Sequence, residues 1–537
     1  MTKLTLDGIK DLDAYKKAGV KLPKFDVKAV VDNSKNAPVW IHVGAGNIFR
    51  GFIASLQQNL LNEGLQTSGI QTVSAYDGAI VDEIYKKHDN LTMNVTLLPN
   101  KDVELEVIAS IVGGYKLNGS APCDEAFVKG LFEKESLQLV SFTVTEKGYA
   151  LKDLNGNYLD LVKNDINGEI KDARHVVSII TYLLNARFNA GAYPISLVSM
   201  DNCSHNGDKL KDAVCDIAKK WQEQGKVSES FITYLQDESK VAFPCSMIDK
   251  ITPRPDESIA YLLVQKGFDD LAPHKTQRGS FIAPFVNAEK PQYLIIEDKF
   301  PNGRPPLEAA GVLFTDKNGV DLCERMKVTT CLNPLHTSLA IFGCLLGYNK
   351  IADEMDDKDL VALVKRLGYD EGLVVVDDPK ILNPKDFLDE VITQRLTNKC
   401  LPDSPQRIAT DTSQKIPVRF GVTLKSYVQK GISLDSLVAI PLTIAGYLRY
   451  LLAIDDNGKA FAPSDDPLLA SLQDLMKDIK FSDVDSVKDN LRPILSNKSI
   501  FLVDLYEIGL ADRVIELFKI MISKEGAVRS LLAKSLS

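Results

Sequence analysis

Three polar side chains near the middle of the chain have the types that metal-independent hydride chemistry requires. Lys327 is followed six residues later by Asn333 and nine residues later by His336, in the stretch MKVTTCLNPLH. Oxidation of an alcohol needs one group that accepts the hydroxyl proton and others that donate hydrogen bonds to the oxygen as negative charge develops. The same residues could instead be a solvated helix lysine, a helix N-cap and a surface histidine. Spacing alone does not separate the two interpretations.

A lysine can act as a base only if a fraction of its side-chain amines is deprotonated. Burial or a neighbouring cation would disfavour the charged ammonium of Lys327, whereas an ionised carboxylate would favour it. Glu324 lies about one helical turn before Lys327. We therefore expect Glu324 to point away from Lys327, or to reach it only through water, during oxidation.

A glycine-rich turn joins an apolar run to an amphipathic segment at residues 40–61. Gly44 permits a tight turn, Gly46 lets a ligand approach the backbone, and the following helix offers free N–H groups to phosphates. The third glycine of the usual dinucleotide fingerprint is replaced by the stretch FRG at 49–51. A turn with only two such glycines also occurs in purely structural strand-to-helix connections, so both interpretations stay open.

A carboxylate follows the second apolar run of the chain. Residues 72–76 are followed directly by Asp77, which lies 31 residues after Gly46. A carboxylate at the tip of the second strand can accept hydrogen bonds from the adenosine ribose hydroxyls, and it repels a 2′-phosphate. This position favours NAD over NADP as the cofactor, although Asp77 could merely cap the turn that follows.

Short β-branched runs alternate with helical stretches between residues 38 and 198. This alternation predicts βαβ units and a parallel sheet with helices on both faces. The runs expected to be strands are 39–43, 72–76, 137–144, 194–200, 293–297 and a segment around 311–314.

After about residue 316 amphipathic helical patterns follow one another. They cover residues 322–329, 334–346, 357–367, 384–397, 434–453, 467–476 and 505–522. We therefore expect an α/β protein with a Rossmann-type dinucleotide-binding domain at 1–300 and a mainly helical substrate and catalytic domain at 301–537. A cleft between the two domains is the expected ligand site.

Composition excludes several classes of protein. The 537 residues are 45% hydrophobic and 25% charged with a net charge of −9, and no basic cluster suggests a nucleic-acid partner. The charged N-terminus lacks an apolar signal core, and no run of 18 apolar residues predicts a membrane span. A cytoplasmic protein without nucleic-acid or membrane partners is the simplest expectation.

The cysteines and histidines do not form metal-binding motifs. The eight cysteines include no CxxC pair, and the six histidines include no HxH or HExxH motif. There is also no GxxxxGK[ST] loop for phosphoryl transfer from ATP. The sequence therefore predicts chemistry without a bound metal.

Seven blocks, in order over most of the chain, resemble one family. This is the polyol-specific long-chain dehydrogenase/reductase family, which includes mannitol 2-dehydrogenase, fructuronate reductase and tagaturonate reductase. The blocks are GAGNIFRG (44–51), TVTEKGY (143–149), SMDNCSHNG (199–207), SMIDKITPRP (246–255), YLIIEDKFPNGRPPLEAAGV (293–312), MKVTTCLNPLH (326–336) and RIATDTSQK (407–415).

The resemblance implies roles for individual residues. Lys327 matches the family's catalytic base, and Glu324 matches a glutamate that passes the proton to solvent. Asn202, Asn333 and His336 match the groups that hydrogen-bond the reacting oxygen or a substrate hydroxyl. The substrate-site residues that the resemblance implies are Asp249, Arg407 and Lys415. The cofactor contacts expected from the glycine turn and the second strand are Gly44, Gly46, Asn47, Ile48, Phe49, Arg50 and Asp77.

One spacing departs from the family pattern. Family members have five steps from the lysine to the asparagine, whereas Lys327 and Asn333 are six apart. On a straight α-helix one extra residue rotates the pair by about 100°. Because Pro334 disfavours helical conformation at the residue before it, we predict a kink, a π-bulge or a helix break that absorbs the extra residue.

The resemblance implies an NAD-dependent, metal-independent oxidoreductase that acts on a small sugar acid or polyol. The pair D-mannonate and D-fructuronate is the favoured substrate, because Arg407 and Lys415 could bind a carboxylate. D-Mannitol and D-fructose are the first alternative, since the same two cations occur in polyol enzymes. A catalytically inactive nucleotide-binding protein is the second alternative. A monomer and a homodimer are both compatible with the sequence.

Overall fold

The computed structural model describes residues 2–117 and 122–537. The chain forms two compact units. The first comprises Met1–Leu97 and Asp102–Asp321, and the second comprises Leu98–Lys101 and Leu322–Ser537. The division into domains at residue 300 stays a prediction.

The first unit is built on a parallel sheet of six strands. In chain order the strands are Trp40–Val43, Ile70–Ser74, Ile111–Lys116, Leu139–Phe142, Ile195–Ser199 and Val241–Ala242. Their order across the sheet is third, second, first, fourth, fifth, sixth, and every neighbouring pair is parallel. This is the Rossmann arrangement, so the expected fold class of this unit is confirmed.

The sheet is covered on both faces, which explains why its strands are almost continuously apolar. Ile41 and Val43 pack into one hydrophobic cluster with Leu183 and Trp221. Trp40, which directly precedes Ile41 in the strand, packs into a second cluster on the other face. Because successive strand residues point to opposite faces, one short strand contributes to two cores.

Smaller sheets complete the first unit. A four-stranded sheet contains Val20–Lys21, Val103–Ile108, Thr92–Leu97 and Phe285–Glu289. A three-stranded sheet contains Ser246–Asp249, Tyr293–Glu297 and Leu313–Thr315, and a hairpin pairs His274–Lys275 with Phe281–Ile282. The α-helices are Leu12–Ala18, Val27–Asn36, Ala54–Asn62, Pro122–Phe132, Glu146–Tyr149, Asp160–Asn167, Val176–Gly191, Asn206–Glu223, Glu229–Gln236 and Glu257–Gln265. Single π-helical turns occur at Phe49–Ile53 and Val81–Tyr85.

The second unit is helical throughout its described elements. Helix Lys317–Met326 leads into it, and its α-helices are Asn333–Leu346, Ile351–Glu354, Lys358–Lys365, Pro384–Glu390, Pro405–Ile408, Thr412–Ile416, Val422–Lys430, Ala439–Leu451, Leu469–Leu475, Arg492–Leu495, Lys498–Phe501, Ala511–Ile522 and Ala527–Ser535. Four π-helical turns interrupt them, at Lys327–Cys331, Arg366–Gly372, Val391–Arg395 and Pro417–Gly421. The expected mostly helical C-terminal region is therefore confirmed.

A buried carboxylate organises the start of one central helix in this unit. Glu371 is fully buried and accepts hydrogen bonds from the backbone N–H groups of Val438, Ala439 and Ile440 at 2.6, 2.7 and 2.9 Å. The first turn of a helix has no intrahelical acceptors for these donors. Glu371 supplies them and so sets where helix Ala439–Leu451 begins.

One stretch of the described chain, Lys317–Leu346, is long and apolar enough to cross a membrane by length and composition alone. Its most apolar window is 83% buried inside the protein. This degree of burial is typical of a core helix.

Candidate active site

The glycine turn lies at the point where the strand order of the parallel sheet reverses. Gly44 follows strand Trp40–Val43 and has a φ of +126°, a region that favours glycine. A Cβ on Gly44 would lie 2.4 Å from the carbonyl oxygen of Thr143, which follows the neighbouring strand. By contrast, nothing lies within 4 Å of a Cβ position on Gly46. Packing therefore requires the first glycine, and the space beside the second is open to a ligand.

The helix after the turn is fixed by polar contacts at its start. Arg50 is fully buried and donates to the carbonyl of Ala283 at 2.7 Å and to Asn47 Oδ1 at 3.0 Å. Asn47 Nδ2 in turn donates to the carbonyl of Pro253 at 3.3 Å. A Cβ on Gly51 would lie 2.8 Å from Val286 Cγ1, so this glycine allows close packing of helix and strand.

Other residues of the same block are also packed inside the protein. Phe49 is buried and stacks on His42, with ring centres 4.2 Å apart. Ile48 is partly buried. Their part in cofactor binding, like that of Asn47 and Arg50, stays a prediction.

Asp77 lies three residues after the end of strand Ile70–Ser74 and is partly buried. Its Oδ2 accepts from the Thr276 hydroxyl at 2.7 Å, and its Oδ1 accepts from the Ala79 N–H at 3.1 Å. An ionised carboxylate has about four lone-pair sites, so these two bonds leave capacity for sugar hydroxyls. The capping role and the ribose-binding role are therefore compatible.

Asn202 lies at the same edge of the sheet as the glycine turn. It follows strand Ile195–Ser199, whose Ser199 is in register with Phe142, which is itself in register with Val43. The side chain of Asn202 is exposed, but the preceding Asp201 is buried. The carboxyl ends of these neighbouring strands therefore bring Asn202 and the glycine turn to one face of the unit.

Asp201 anchors the loop that carries Asn202. Its carboxylate accepts from the N–H groups of Val144 and Thr145 at 3.0 and 2.8 Å and from the Tyr149 hydroxyl at 2.5 Å. Burial raises the pKa of Asp201, while these three donors oppose that rise. Two of the sequence blocks, TVTEKGY and SMDNCSHNG, are thus joined by one buried carboxylate.

Asp249 is the last residue of strand Ser246–Asp249 and pairs in antiparallel register with Tyr293. Its side chain is 9% exposed. Its substrate-binding role stays a prediction.

Lys327 begins a π-helical turn and is 2% exposed. The N–H of Leu332 donates to the carbonyl of Lys327 at 3.1 Å, and Leu332 leaves helical conformation with φ −129° and ψ −62°. Asn333 then starts helix Asn333–Leu346. The predicted π-bulge and helix break are confirmed, since both occur between the lysine and the asparagine.

Two of the structural interpretations weighed for these residues are wrong. Lys327 is buried rather than solvated, and Leu332 rather than Asn333 occupies the N-cap position. Pro334 explains the break, because a proline at the second helical position has no N–H to donate to the preceding turn. Glu324 lies on helix Lys317–Met326, one turn before Lys327, and is partly exposed.

His336 is not a surface histidine, since its side chain is 13% exposed. Its Nε2 lies 3.7 Å from Asp403 Oδ2, and the other oxygen of Asp403 accepts from Arg407. Burial lowers the pKa of His336 to about 4, with Asp403 opposing and Arg419 and other arginines assisting. The ring is therefore neutral near pH 7, and it can form hydrogen bonds but does not carry a positive charge.

Lys415 and Arg407, expected to bind substrate, lie in one group of cations with His336. Lys415 Nζ donates to the carbonyl of Ile408 at 3.0 Å. Burial lowers the pKa of Lys415, and the neighbouring Arg419 and Arg407 lower it further. The side chain of Arg407 is 61% exposed.

Two polar residues of this group were not singled out in the sequence. Asp403 is four residues before Arg407, a spacing at which side chains meet on one helical face. Arg419 is four residues after Lys415. The i,i+4 spacing from residues already identified is the signal that could have found both.

The described residues contain no group of three or more His, Cys, Asp or Glu side chains placed to hold a metal ion. Metal independence stays a prediction.

Two family models together match most of the chain. The mannitol dehydrogenase Rossmann domain matches residues 39–309, and the mannitol dehydrogenase C-terminal domain matches residues 320–519.

Similar proteins and structures agree with this assignment. D-Mannonate oxidoreductase of Thermotoga maritima is 49% identical over 534 residues, which are 99% of this chain and 98% of that protein. D-Mannonate oxidoreductase of Escherichia coli is 28% identical over 481 residues, which are 88% of this chain and 91% of that protein. A solved structure of D-sorbitol dehydrogenase in substrate-free form is similar with a TM-score of 0.78 and 25% identity, over 96% of this chain and 98% of that one. The resemblance of the seven sequence blocks is confirmed: the chain belongs to the mannitol dehydrogenase family of oxidoreductases.

Proposed function

We propose that this protein is an NAD-dependent oxidoreductase that interconverts D-mannonate and D-fructuronate. The observation that carries the proposal is 49% identity over nearly the full length of both chains to the D-mannonate oxidoreductase of Thermotoga maritima. The cations near His336, which include Arg407 and Lys415, suit a substrate that carries a carboxylate.

The residues of the first unit fit a dinucleotide. The open space beside Gly46 admits a pyrophosphate close to the backbone, and the helix that starts at Asn47 offers N–H groups to it. The free acceptor capacity of Asp77 suits the adenosine ribose hydroxyls and disfavours a 2′-phosphate. Gly44, Gly46, Asn47, Ile48, Phe49, Arg50 and Asp77 are the proposed cofactor residues.

A nicotinamide cofactor held by these residues would supply hydride transfer to and from the carbinol carbon. In the proposed mechanism the Lys327 amine takes the proton of the substrate hydroxyl during oxidation. Asn202 and Asn333 each donate a carboxamide N–H to the same oxygen, and one such donor is typically worth about 3–4 kcal/mol as charge develops. Glu324 passes the proton between Lys327 and solvent.

The remaining residues hold the substrate in place. Neutral His336 orients a substrate hydroxyl, and Asp249 accepts a hydrogen bond from another. Arg407 and Lys415 bind the polar chain of the sugar acid. We further propose that the protein acts in the cytoplasm on this small molecule without a nucleic-acid or membrane partner, as a monomer or homodimer.

The test is reduction of a panel of keto sugars by the purified chain, followed by loss of NADH absorbance. We expect kcat/KM for D-fructuronate to exceed that for D-fructose by about 100-fold, because a cationic site left without its carboxylate loses charge-assisted hydrogen bonds. Faster turnover of D-fructose would favour the mannitol alternative. Binding of NADH without turnover of any keto sugar would favour an inactive nucleotide-binding protein.

A further inference from the structure

Arg419 is a cation placed beside the proposed catalytic helix. It lies in the π-helical turn Pro417–Gly421, and its Nη1 donates to the hydroxyl of Thr337. Thr337 follows His336 directly, and its hydroxyl donates to the carbonyl of Asn333 at 3.0 Å. One continuous set of hydrogen bonds therefore runs from Arg419 to the first turn of helix Asn333–Leu346.

Among the described residues, the guanidinium of Arg419 has no acidic partner. Within the described parts of the chain, no carboxylate lies at ion-pair distance from its guanidinium, and its hydrogen bond goes to Thr337 alone. Burial lowers the pKa of Arg419 to about 10, and no carboxylate raises it. A cation that is partly removed from water without a counterion is costly unless a ligand supplies one.

The neighbouring arginine differs in this respect. Arg407 already forms an ion pair with Asp403, and Lys415 donates to a backbone carbonyl. A guanidinium has five N–H donors in a planar fork, which matches the two oxygens of a carboxylate. Of the two arginines, Arg419 is thus the one whose charge and planar fork of donors are both left for an anion.

The backbone around Arg419 is held firmly. Pro417 has no N–H for the preceding helical turn, so the helix widens there, and the N–H of Val422 donates to the carbonyl of Pro417. A Cβ on Gly421 would lie 2.4 Å from the carbonyl oxygen of Phe501. The π-helical turn therefore packs closely against the end of helix Lys498–Phe501. The position of Arg419 is therefore set by packing before any ligand binds.

We propose that Arg419 is the residue that recognises the carboxylate of the sugar acid and so selects uronates over uncharged ketoses. This inference rests on the proposed function, and it adds a specificity residue to that site. Thr337 would orient the guanidinium, while Arg407 and Lys415 contact the rest of the substrate.

The test compares two substrates that differ at the carboxylate, D-fructuronate and D-fructose, in the intact enzyme with NADH. We expect Arg419→Met to lower kcat/KM for D-fructuronate by about 100-fold and to change kcat/KM for D-fructose by less than about threefold. Arg419→Lys keeps the charge but loses the fork, so we expect a smaller loss of about tenfold for D-fructuronate. Thr337→Val should raise KM for D-fructuronate while leaving the NADH dissociation constant unchanged.

Arg513→Met is the matched control, because Arg513 is partly exposed and donates to the carbonyl of Asp435, away from the proposed site. It should leave both substrates unaffected. Equal losses for both substrates in Arg419→Met, or no loss for either, would overturn the role of Arg419. If Arg419→Met does not fold, the comparison of D-fructuronate with D-fructose in Arg419→Lys and Thr337→Val tests the role of Arg419 instead. A wild-type enzyme that does not reduce D-fructuronate would instead contradict the proposed function itself.

Discussion

The backbone carbonyl of Lys327 accepts the N–H of Leu332, five residues later, at 3.1 Å. This single π-type hydrogen bond lengthens the turn that carries the proposed base by one residue. It compensates for the six-residue spacing between Lys327 and Asn333, because the additional residue is taken up before helix Asn333–Leu346 begins. π-helical turns are rare in proteins as a whole, but those that occur are often found at functional sites. The turn at Lys327–Cys331 agrees with this tendency, because it carries the proposed base.

The first prediction concerns the proposed base. Lys327→Ala should lower kcat by about 10³-fold, because it removes the amine that is proposed to accept the hydroxyl proton. The dissociation constant of NADH, measured by fluorescence titration, should change by less than about twofold, since Lys327 is not among the proposed cofactor residues. Lys365→Ala, an exposed lysine on helix Lys358–Lys365, is the control and should behave as wild type. A small change in kcat for Lys327→Ala would exclude this lysine as the base.

The second prediction separates the two glycines of the turn. Gly44→Ala should lower the free energy of unfolding by about 2 kcal/mol or more, because its Cβ meets the Thr143 carbonyl and its φ is positive. Gly46→Ala should leave stability unchanged and weaken NADH binding by about tenfold, because its Cβ enters open space intended for the cofactor. Urea unfolding and NADH titration of both variants measure the two effects. Unchanged NADH affinity in Gly46→Ala would place the cofactor elsewhere.

The third prediction concerns the choice between NADH and NADPH. Asp77→Ser removes the negative charge that disfavours a 2′-phosphate, so the ratio of kcat/KM for NADPH to that for NADH should rise by about tenfold or more. Thr276→Val removes the hydroxyl that donates to Asp77 but keeps the charge, and it should change this ratio much less. Equal ratios in wild type and Asp77→Ser would show that Asp77 only stabilises the turn that follows the strand and does not select the cofactor.

The fourth prediction follows from the buried His42. Burial lowers the pKa of His42 to about 3, well below the ordinary value of 6.5. As pH falls below 6.5 the unfolded chain binds this proton and the folded chain does not. The free energy of unfolding therefore decreases by about 1.4 kcal/mol per pH unit between pH 6.5 and 3, and His42 has no such effect above that range.

Urea unfolding at pH 7 and pH 5 measures this slope. His42→Gln should lose less stability than wild type between these two pH values, by about 2 kcal/mol. His274→Gln, at an exposed histidine, should retain the wild-type slope. An identical slope in wild type and His42→Gln would contradict the burial of an unprotonated ring.

Strands whose apolar runs are bounded by clear turns could be predicted from the sequence. The expected strand at 293–297 is observed at Tyr293–Glu297, and the expected strand at 194–200 is observed at Ile195–Ser199. Strands Ile111–Lys116 and Val241–Ala242 were not predicted. One carries two glycines and the other is two residues long, and both acquire strand conformation from the neighbour with which they pair.

Helices were predicted in the right places, but not their interruptions. The expected helix at 384–397 is an α-helix at Pro384–Glu390 followed by a π-helical turn at Val391–Arg395. The periodicity of apolar residues indicates which face of a helix is buried. One additional residue in a turn changes this pattern too little to be recognised. Only the break before Pro334 could be predicted, because proline acts on its own immediate neighbours.

Local patterns in the chain were enough to identify the family, the glycine turn, the acidic residue after the second strand and the break before the asparagine. Each of these depends on residues close together in sequence. Folding alone decided that Arg50 is enclosed by the chain, that Asp403 lies beside His336, and that Arg419 has no carboxylate at ion-pair distance among the residues that the structure describes. These properties depend on which side chains meet across long sequence separations, and on how much water remains around each charge.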